Sequence, residues 1–213
     1  NFFIIGAPKC GTTSVAQWLS EHPQVYFSPV KEPFLFSEDI YQSFSSWKEY
    51  LKLFSSAREH HLAIGEGTTH YLFSAVAVKT IECKINDPKY IVMVRNPVDM
   101  AYALHQQQVY GLNEDVLDFE QAWHLSPLRR KGEQVPENCQ SRLLLDYQEF
   151  CLLGKQVERL FDTVPRERVL LLKLDDFRED SRKEYLKVIH FLNLEDDGRE
   201  DFPVYNQAKR GLL

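Results

Sequence analysis

The sequence predicts a doubly wound α/β domain, a mainly parallel sheet flanked by helices. Three observations carry that prediction. Strand-like and helix-like patterns alternate along the 213 residues. Two strand candidates, Tyr90–Val94 and Val169–Leu174, are continuous apolar runs, as expected of strands buried on both faces. A first strand candidate ends in Gly6-Ala7-Pro8-Lys9-Cys10-Gly11-Thr12-Thr13, a glycine-spaced turn that opens a helix.

The elements follow in order. Phe2–Ile5 is an apolar run of strand length, and Thr13–His22 is helical, with Val15, Trp18 and Leu19 on one face. A strand, a Gly-x4-Gly turn and a helix N-terminus aim backbone N–H groups at one point, a P-loop-like cradle for an anion. The nucleotide-hydrolase version places Lys directly after the second glycine. Here that position is Thr12, and the only lysine of the loop is Lys9. The phosphate cradle is kept; metal-assisted nucleotide hydrolysis is not clearly encoded.

Ala63-Ile64-Gly65-Glu66 is a second short strand, and Tyr90–Val94 a third. The third ends abruptly in Arg95-Asn96-Pro97, and proline favours the first turn of a helix, here Val98–Tyr110. In such sheets ligands bind at the carboxyl ends of the strands. Arg95 and the Gly6 loop both belong on that edge, where a guanidinium forks onto a phosphate. The same arginine also suits a cap on the sheet edge through Asp99. Asn113–Cys139 lacks clear periodicity and holds Pro127, Pro136 and Arg129-Arg130-Lys131, and it reads as an insertion or lid over the site, or as a solvated surface loop. Helical patterns at Ser141–Phe161 and Arg182–Leu192 bracket the last strand.

Bulk properties narrow the function. Residues 1–213 suit one domain; 44% hydrophobic and 13% aromatic content is that of a globular chain. A net charge of −6 opposes a nucleic-acid partner. No apolar run reaches the length of a membrane span. The four cysteines, Cys10, Cys83, Cys139 and Cys151, lack metal-ligand spacing, and Cys10 inside the loop favours free thiols and a reducing compartment.

The segments Phe3–Thr13 and Val94-Arg95-Asn96-Pro97-Val98-Asp99 resemble the 5′-phosphosulfate loop and the 3′-phosphate segment of the sulfotransferases, nearest to their Golgi-type and bacterial branch. Lys31-Glu32-Pro33-Phe34-Leu35-Phe36, Gly65-Glu66-Gly67-Thr68-Thr69-His70-Tyr71, and the closing Val169–Phe177 stretch with Ile189-His190-Phe191-Leu192 agree, in family order, over nearly the whole chain. The resemblance implies 3′-phosphoadenosine 5′-phosphosulfate as donor and no metal. It assigns Lys9, Cys10, Gly11, Thr12 and Thr13 to the phosphosulfate and Arg95 to the 3′-phosphate, with Lys9 stabilising the leaving phosphate. It makes Glu32 the general base, in an apolar setting that raises its pKa. His70 is a rival or helper, and Glu66 an orienting or structural carboxylate.

Two positions depart from the family pattern. Ala103 stands where a serine commonly completes the 3′-phosphate site, and Met100 where bacterial relatives often have a basic residue. Lys209-Arg210-Gly211 is the compensating basic loop. Two other readings share the sheet and loop. One is a nucleotide kinase or NTPase, for which Asp175 and Asp176 are the only magnesium candidates. The other is a non-catalytic module with a decayed donor site. The charge favours a small-molecule, lipid, carrier-bound or protein acceptor over a sulfated polysaccharide. The expected location is the cytoplasm, or the Golgi lumen if an upstream anchor precedes this chain.

Overall fold

A computed structural model of the chain describes residues 1–44 and 46–205. Its sheet runs β2-β3-β1-β4-β5, with every neighbouring pair parallel. The strands are β1 (Phe2–Gly6), β2 (Val25–Phe27), β3 (Ala63–Gly67), β4 (Lys89–Val94) and β5 (Val169–Lys173). β1 is central and wholly buried, which is why its run is unbroken by polar residues. Its alternate side chains serve opposite faces: Phe2 meets the ring of Phe27, and Phe3 meets Phe36 and Tyr90.

β5 corrects one expectation. It is an edge strand, so Leu171 is 43% exposed rather than buried, and Leu174 opens the next helix.

Nine α-helices flank the sheet among the described residues: α1 (Thr12–Ser20), α2 (Trp47–Lys52), α3 (Ala77–Lys84), α4 (Pro97–Tyr110), α5 (Phe119–Arg130), α6 (Tyr147–Phe150), α7 (Leu153–Thr163), α8 (Leu174–Glu179) and α9 (Ser181–Phe191). Trp18 of α1 packs against Phe177 of α8, Tyr185 of α9 and Phe202, and donates its indole N–H to the Pro203 carbonyl. These contacts tie the end of the described chain to its first helix.

Two further expectations are corrected. The 113–139 stretch is not irregular, because α5 occupies 119–130, capped by the Asp118 side chain on Gln121 N–H. Its inward face is Ala122, Ser126 and Arg129, small or polar residues that leave no apolar stripe to read. Arg129 is wholly buried and forked onto Glu114, which also accepts from the Tyr147 hydroxyl at 2.9 Å. The single helix expected over Ser141–Phe161 is a 3₁₀ turn (Arg142–Leu145), α6 and α7 in succession. Asp146 divides the first two and caps α6 through Glu149 N–H.

Candidate active site

The central strand delivers the anion loop. β1 slips register against β4 between Ile4 and Gly6, and Ala7 N–H then bonds to the Met93 carbonyl at 2.7 Å. This turns the chain over the carboxyl ends of β1 and β4. Gly11 caps α1 with φ 86°, in the left-handed region, and a Cβ there would sit 2.7 Å from Leu174 Cδ1. Only glycine satisfies both conditions. α1 has no side-chain cap. Among the described residues the amide N–H groups of Lys9, Cys10, Gly11, Thr12 and Thr13 donate to no protein acceptor. Free donors at a helix N-terminus make an anion site.

Three cations gather at this edge. Arg95, directly after β4, donates from NH1 to the Lys9 carbonyl at 3.1 Å and lies 3.6 Å from Asp99. Lys31 Nζ donates to Thr13 Oγ1 at 2.8 Å. Burial pushes the Lys9 ammonium below its ordinary value, the charges of Lys31 and Arg95 push it further, and Glu32 opposes them. Positive charge is therefore concentrated beside the loop and the N-terminus of α1.

Glu32 borders that cluster. Its Oε1 lies 4.0 Å from Lys31 Nζ and accepts from Thr69 Oγ1 at 3.2 Å. Its Oε2 is 3.9 Å from His70 Nδ1. Burial raises the Glu32 pKa above the ordinary carboxylate value, against the pull of Lys31, Thr69 and Lys9. His70 sits between the rings of Phe34 and Phe150, with its Nε2 buried and unpartnered. That burial pushes its pKa down to about 4. Gly6 explains how the Thr69–His70 turn comes so close: a Cβ on Gly6 would meet Leu72 Cβ and the Thr69 carbonyl, each at 2.8 Å.

The remaining sequence candidates are placed as follows. Cys10 is buried and turns its thiol inward, onto the Pro8 carbonyl at 3.4 Å and beside Met100 Sδ at 4.0 Å. Its side chain therefore faces away from the cradle, and burial raises its pKa to about 12. Met100 is wholly buried in the core, so a basic side chain at that position would have no solvent. Ala103 is half-buried on α4, one turn beyond Asp99 and so on the face nearest Arg95. Lys209, Arg210 and Gly211 lie outside the described residues. All four cysteines are free. Lys31 and Thr69 join the site beside the candidates that the sequence singles out. Their positions inside the two quoted motifs, each next to a candidate residue, were the available signal.

Comparison with known proteins gives this edge a family. The sulfotransferase domain family matches residues 1–202. The chain belongs to that family. The crystal structure of a sulfotransferase from Alicyclobacillus acidocaldarius is similar at a TM-score of 0.84 and 26% identity, over 99% of this chain and 86% of that one. Mouse carbohydrate sulfotransferase 15 is 25% identical over 91% of this chain, which spans only 44% of that relative's length. Mouse sulfotransferase SULT7A1, solved complexed with PAP, shares the fold at a TM-score of 0.58 and 16% identity, over 93% of this chain and 60% of that one. Among the described residues no helix is long and apolar enough to cross a membrane, and no group of three or more His, Cys, Asp or Glu is placed to hold a metal ion.

Proposed function

We propose that this chain moves a sulfuryl group from 3′-phosphoadenosine 5′-phosphosulfate to an acceptor hydroxyl or amine without a metal ion. The observation that carries the reading is one juxtaposition: free N–H groups and the Lys9, Lys31, Arg95 cluster on one side, the Glu32 carboxylate on the other. The donor fits these residues chemically. It is a polyanion, and the cradle offers amide N–H groups that have no protein acceptor, with Lys9, Lys31 and Arg95 beside them. When bound, the donor supplies the sulfuryl group and leaves behind a phosphate on which negative charge has grown.

The rest is the work of this chain. The N–H groups of Lys9 to Thr13 hold the phosphosulfate, with Cys10 contributing its backbone only. Lys9 neutralises the growing charge, a contact that is worth more in the transition state than in the ground state. Arg95 holds the 3′-phosphate. Its present partner Asp99 is 59% exposed, and such pairs contribute at most about 1 kcal/mol, so a phosphate displaces it readily. Glu32 takes the acceptor proton, since its raised pKa keeps it a competent base. A histidine with a pKa near 4 is a poorer one, so His70 packs against Glu32 and stays neutral.

The acceptor belongs to the small-molecule, lipid, carrier-bound or protein hydroxyl classes. A carbohydrate hydroxyl joins them on the name of the mouse relative. The cytoplasm is the proposed location, or the Golgi lumen for a form with an upstream anchor. Calorimetric titration tests the donor assignment. 3′-Phosphoadenosine 5′-phosphate should bind more tightly than adenosine 5′-phosphate, which lacks the charge Arg95 reads. Equal affinities would remove the 3′-phosphate site and favour the decayed-module reading that Ala103 raises.

A further inference from the structure

The carboxylate of Glu32 is met by a hydroxyl from the turn after β3, and the hydrogen bonds there run in one direction. Thr69 and His70 are both buried. Thr69 Oγ1 donates to Glu32 Oε1 at 3.2 Å and lies 3.4 Å from His70 Nδ1. A hydroxyl has one proton, so a threonine that donates to Glu32 accepts from the imidazole. His70 therefore carries its proton on Nδ1, and its buried, unpartnered Nε2 is a bare nitrogen rather than a stranded N–H. Glu32 Oε2 accepts no hydrogen bond among the described residues.

The turn that presents Thr69 is firmly braced. Thr68 N–H bonds to the Ile4 carbonyl at 3.0 Å and Leu72 N–H to the Ile5 carbonyl at 2.8 Å, which laces the turn to the central strand. Thr68 Oγ1 donates inward to the buried Glu66 at 2.7 Å, and Arg159 of α7 donates to the carbonyls of Leu72, Phe73 and Ser74. The loop that carries the base is strained by comparison. Glu32 has φ 56° and Phe34 φ 52°, left-handed conformations that residues with side chains keep only when their surroundings enforce them. Glu32 N–H is tied to the Gly67 carbonyl at 3.1 Å, and the side chain is tied by Thr69.

We propose that Thr69 is a positioning residue for the general base: its hydroxyl holds Oε1 of Glu32 and leaves Oε2 to take the acceptor proton. The inference rests on the reading of Glu32 as base. The titratable groups that act on Glu32 are Lys31 on its own loop, Lys9 on the anion loop, His70 in the turn and Glu66 at the end of β3. Thr69 is uncharged, so removing its hydroxyl leaves every one of those charges in place. A carboxylate that loses a donor is harder to ionise, and its pKa goes up.

The test measures acceptor-dependent transfer by Thr69→Val, Thr69→Ala and Thr69→Ser, each made in the wild-type and Glu32→Gln backgrounds. Binding of 3′-phosphoadenosine 5′-phosphate serves as the folding control. In the wild-type background Thr69→Val and Thr69→Ala should lower kcat by about 10- to 100-fold, the order expected for a misplaced catalytic group, with nucleotide affinity held within about threefold. The limb of kcat/KM that belongs to Glu32 should move up by about one pH unit, and Thr69→Ser should restore both rate and limb. In the Glu32→Gln background the valine and alanine changes should cost almost nothing more, because residues that act as one unit are non-additive. The same fold-loss in both backgrounds, an unmoved limb, or a serine no better than valine would overturn the inference while sparing Glu32. Unchanged kcat would do the same, as would loss of nucleotide binding in both Thr69→Val and Thr69→Ala, which would make the hydroxyl a support of the fold. Full activity of Glu32→Gln by itself would remove the base assignment, and the inference with it.

Discussion

Glu32 is the residue whose environment most directly predicts a measurable property. It is flanked by Lys31, Lys9, Thr69 and His70, and burial outweighs their stabilisation of its charged form. As a base it works only when ionised. Activity should therefore rise with pH through a limb above the ordinary value of 4.5, and fall away below it. The pH profile of kcat/KM checks this, because Glu32→Gln should abolish the limb along with about 10²–10⁴ of the rate. A limb that survives in Glu32→Gln would belong to another group. At this scale the sequence was informative about chemistry and silent about orientation. It offered Glu32 and His70 as rivals, and it could not show that Phe34 and Phe150 enclose the imidazole and depress its proton affinity. Nor could it show the thiol of Cys10 turned into the core, because a residue's facing within a turn depends on backbone angles such as the left-handed φ 62° of Lys9.

Among the elements, α4 carries the sharpest prediction. Asn96 caps it by accepting from Val98 N–H at 2.9 Å, Pro97 opens it, and Asp99 and Ala103 succeed each other on one face beside Arg95. Serine at 103 would add a hydroxyl to a site meant for a charged phosphate, an interaction of about 1.5–3 kcal/mol. Ala103→Ser should tighten 3′-phosphoadenosine 5′-phosphate by roughly 10- to 100-fold and leave adenosine 5′-phosphate unchanged, as titration of both would show. Equal gains for the two nucleotides would place the hydroxyl elsewhere. The legibility of elements tracked how they bury themselves. β1, β4, α1 and α4 were readable because apolar runs, a glycine turn and a proline mark them. α5 was not, since it buries Ala122, Ser126 and Arg129 in place of an apolar stripe. β2, with three residues, is too short to show a period.

At the scale of the whole molecule, the strand order places β1 between β3 and β4, so three segments far apart in sequence converge on one edge. Residues 6–13, 31–36 and 95–103 meet there, and the turn after β3 supplies Thr69 and His70. Fold class followed from alternation and loop chemistry, whereas the pairing of Lys31 with Thr13 needed the assembled sheet. The buried Arg129–Glu114 pair, tied to Tyr147, fastens the two ends of the 113–147 region to α5. Arg129→Met strands a buried carboxylate and should cost about 3–5 kcal/mol in urea unfolding. A loss below about 1 kcal/mol, the worth of a surface pair, would show that the pair does not hold this region together.

The most direct measurement of the central claim is acceptor-dependent transfer of labelled sulfate from 3′-phosphoadenosine 5′-phosphosulfate, in chelator, by the wild type and Lys9→Ala. The wild type should transfer label without divalent metal. Lys9→Ala should be slower by about 10²–10³ in kcat while still binding 3′-phosphoadenosine 5′-phosphate, because its ammonium serves charge that appears during reaction. Transfer that requires a metal ion, or near-normal turnover by Lys9→Ala, would contradict the account.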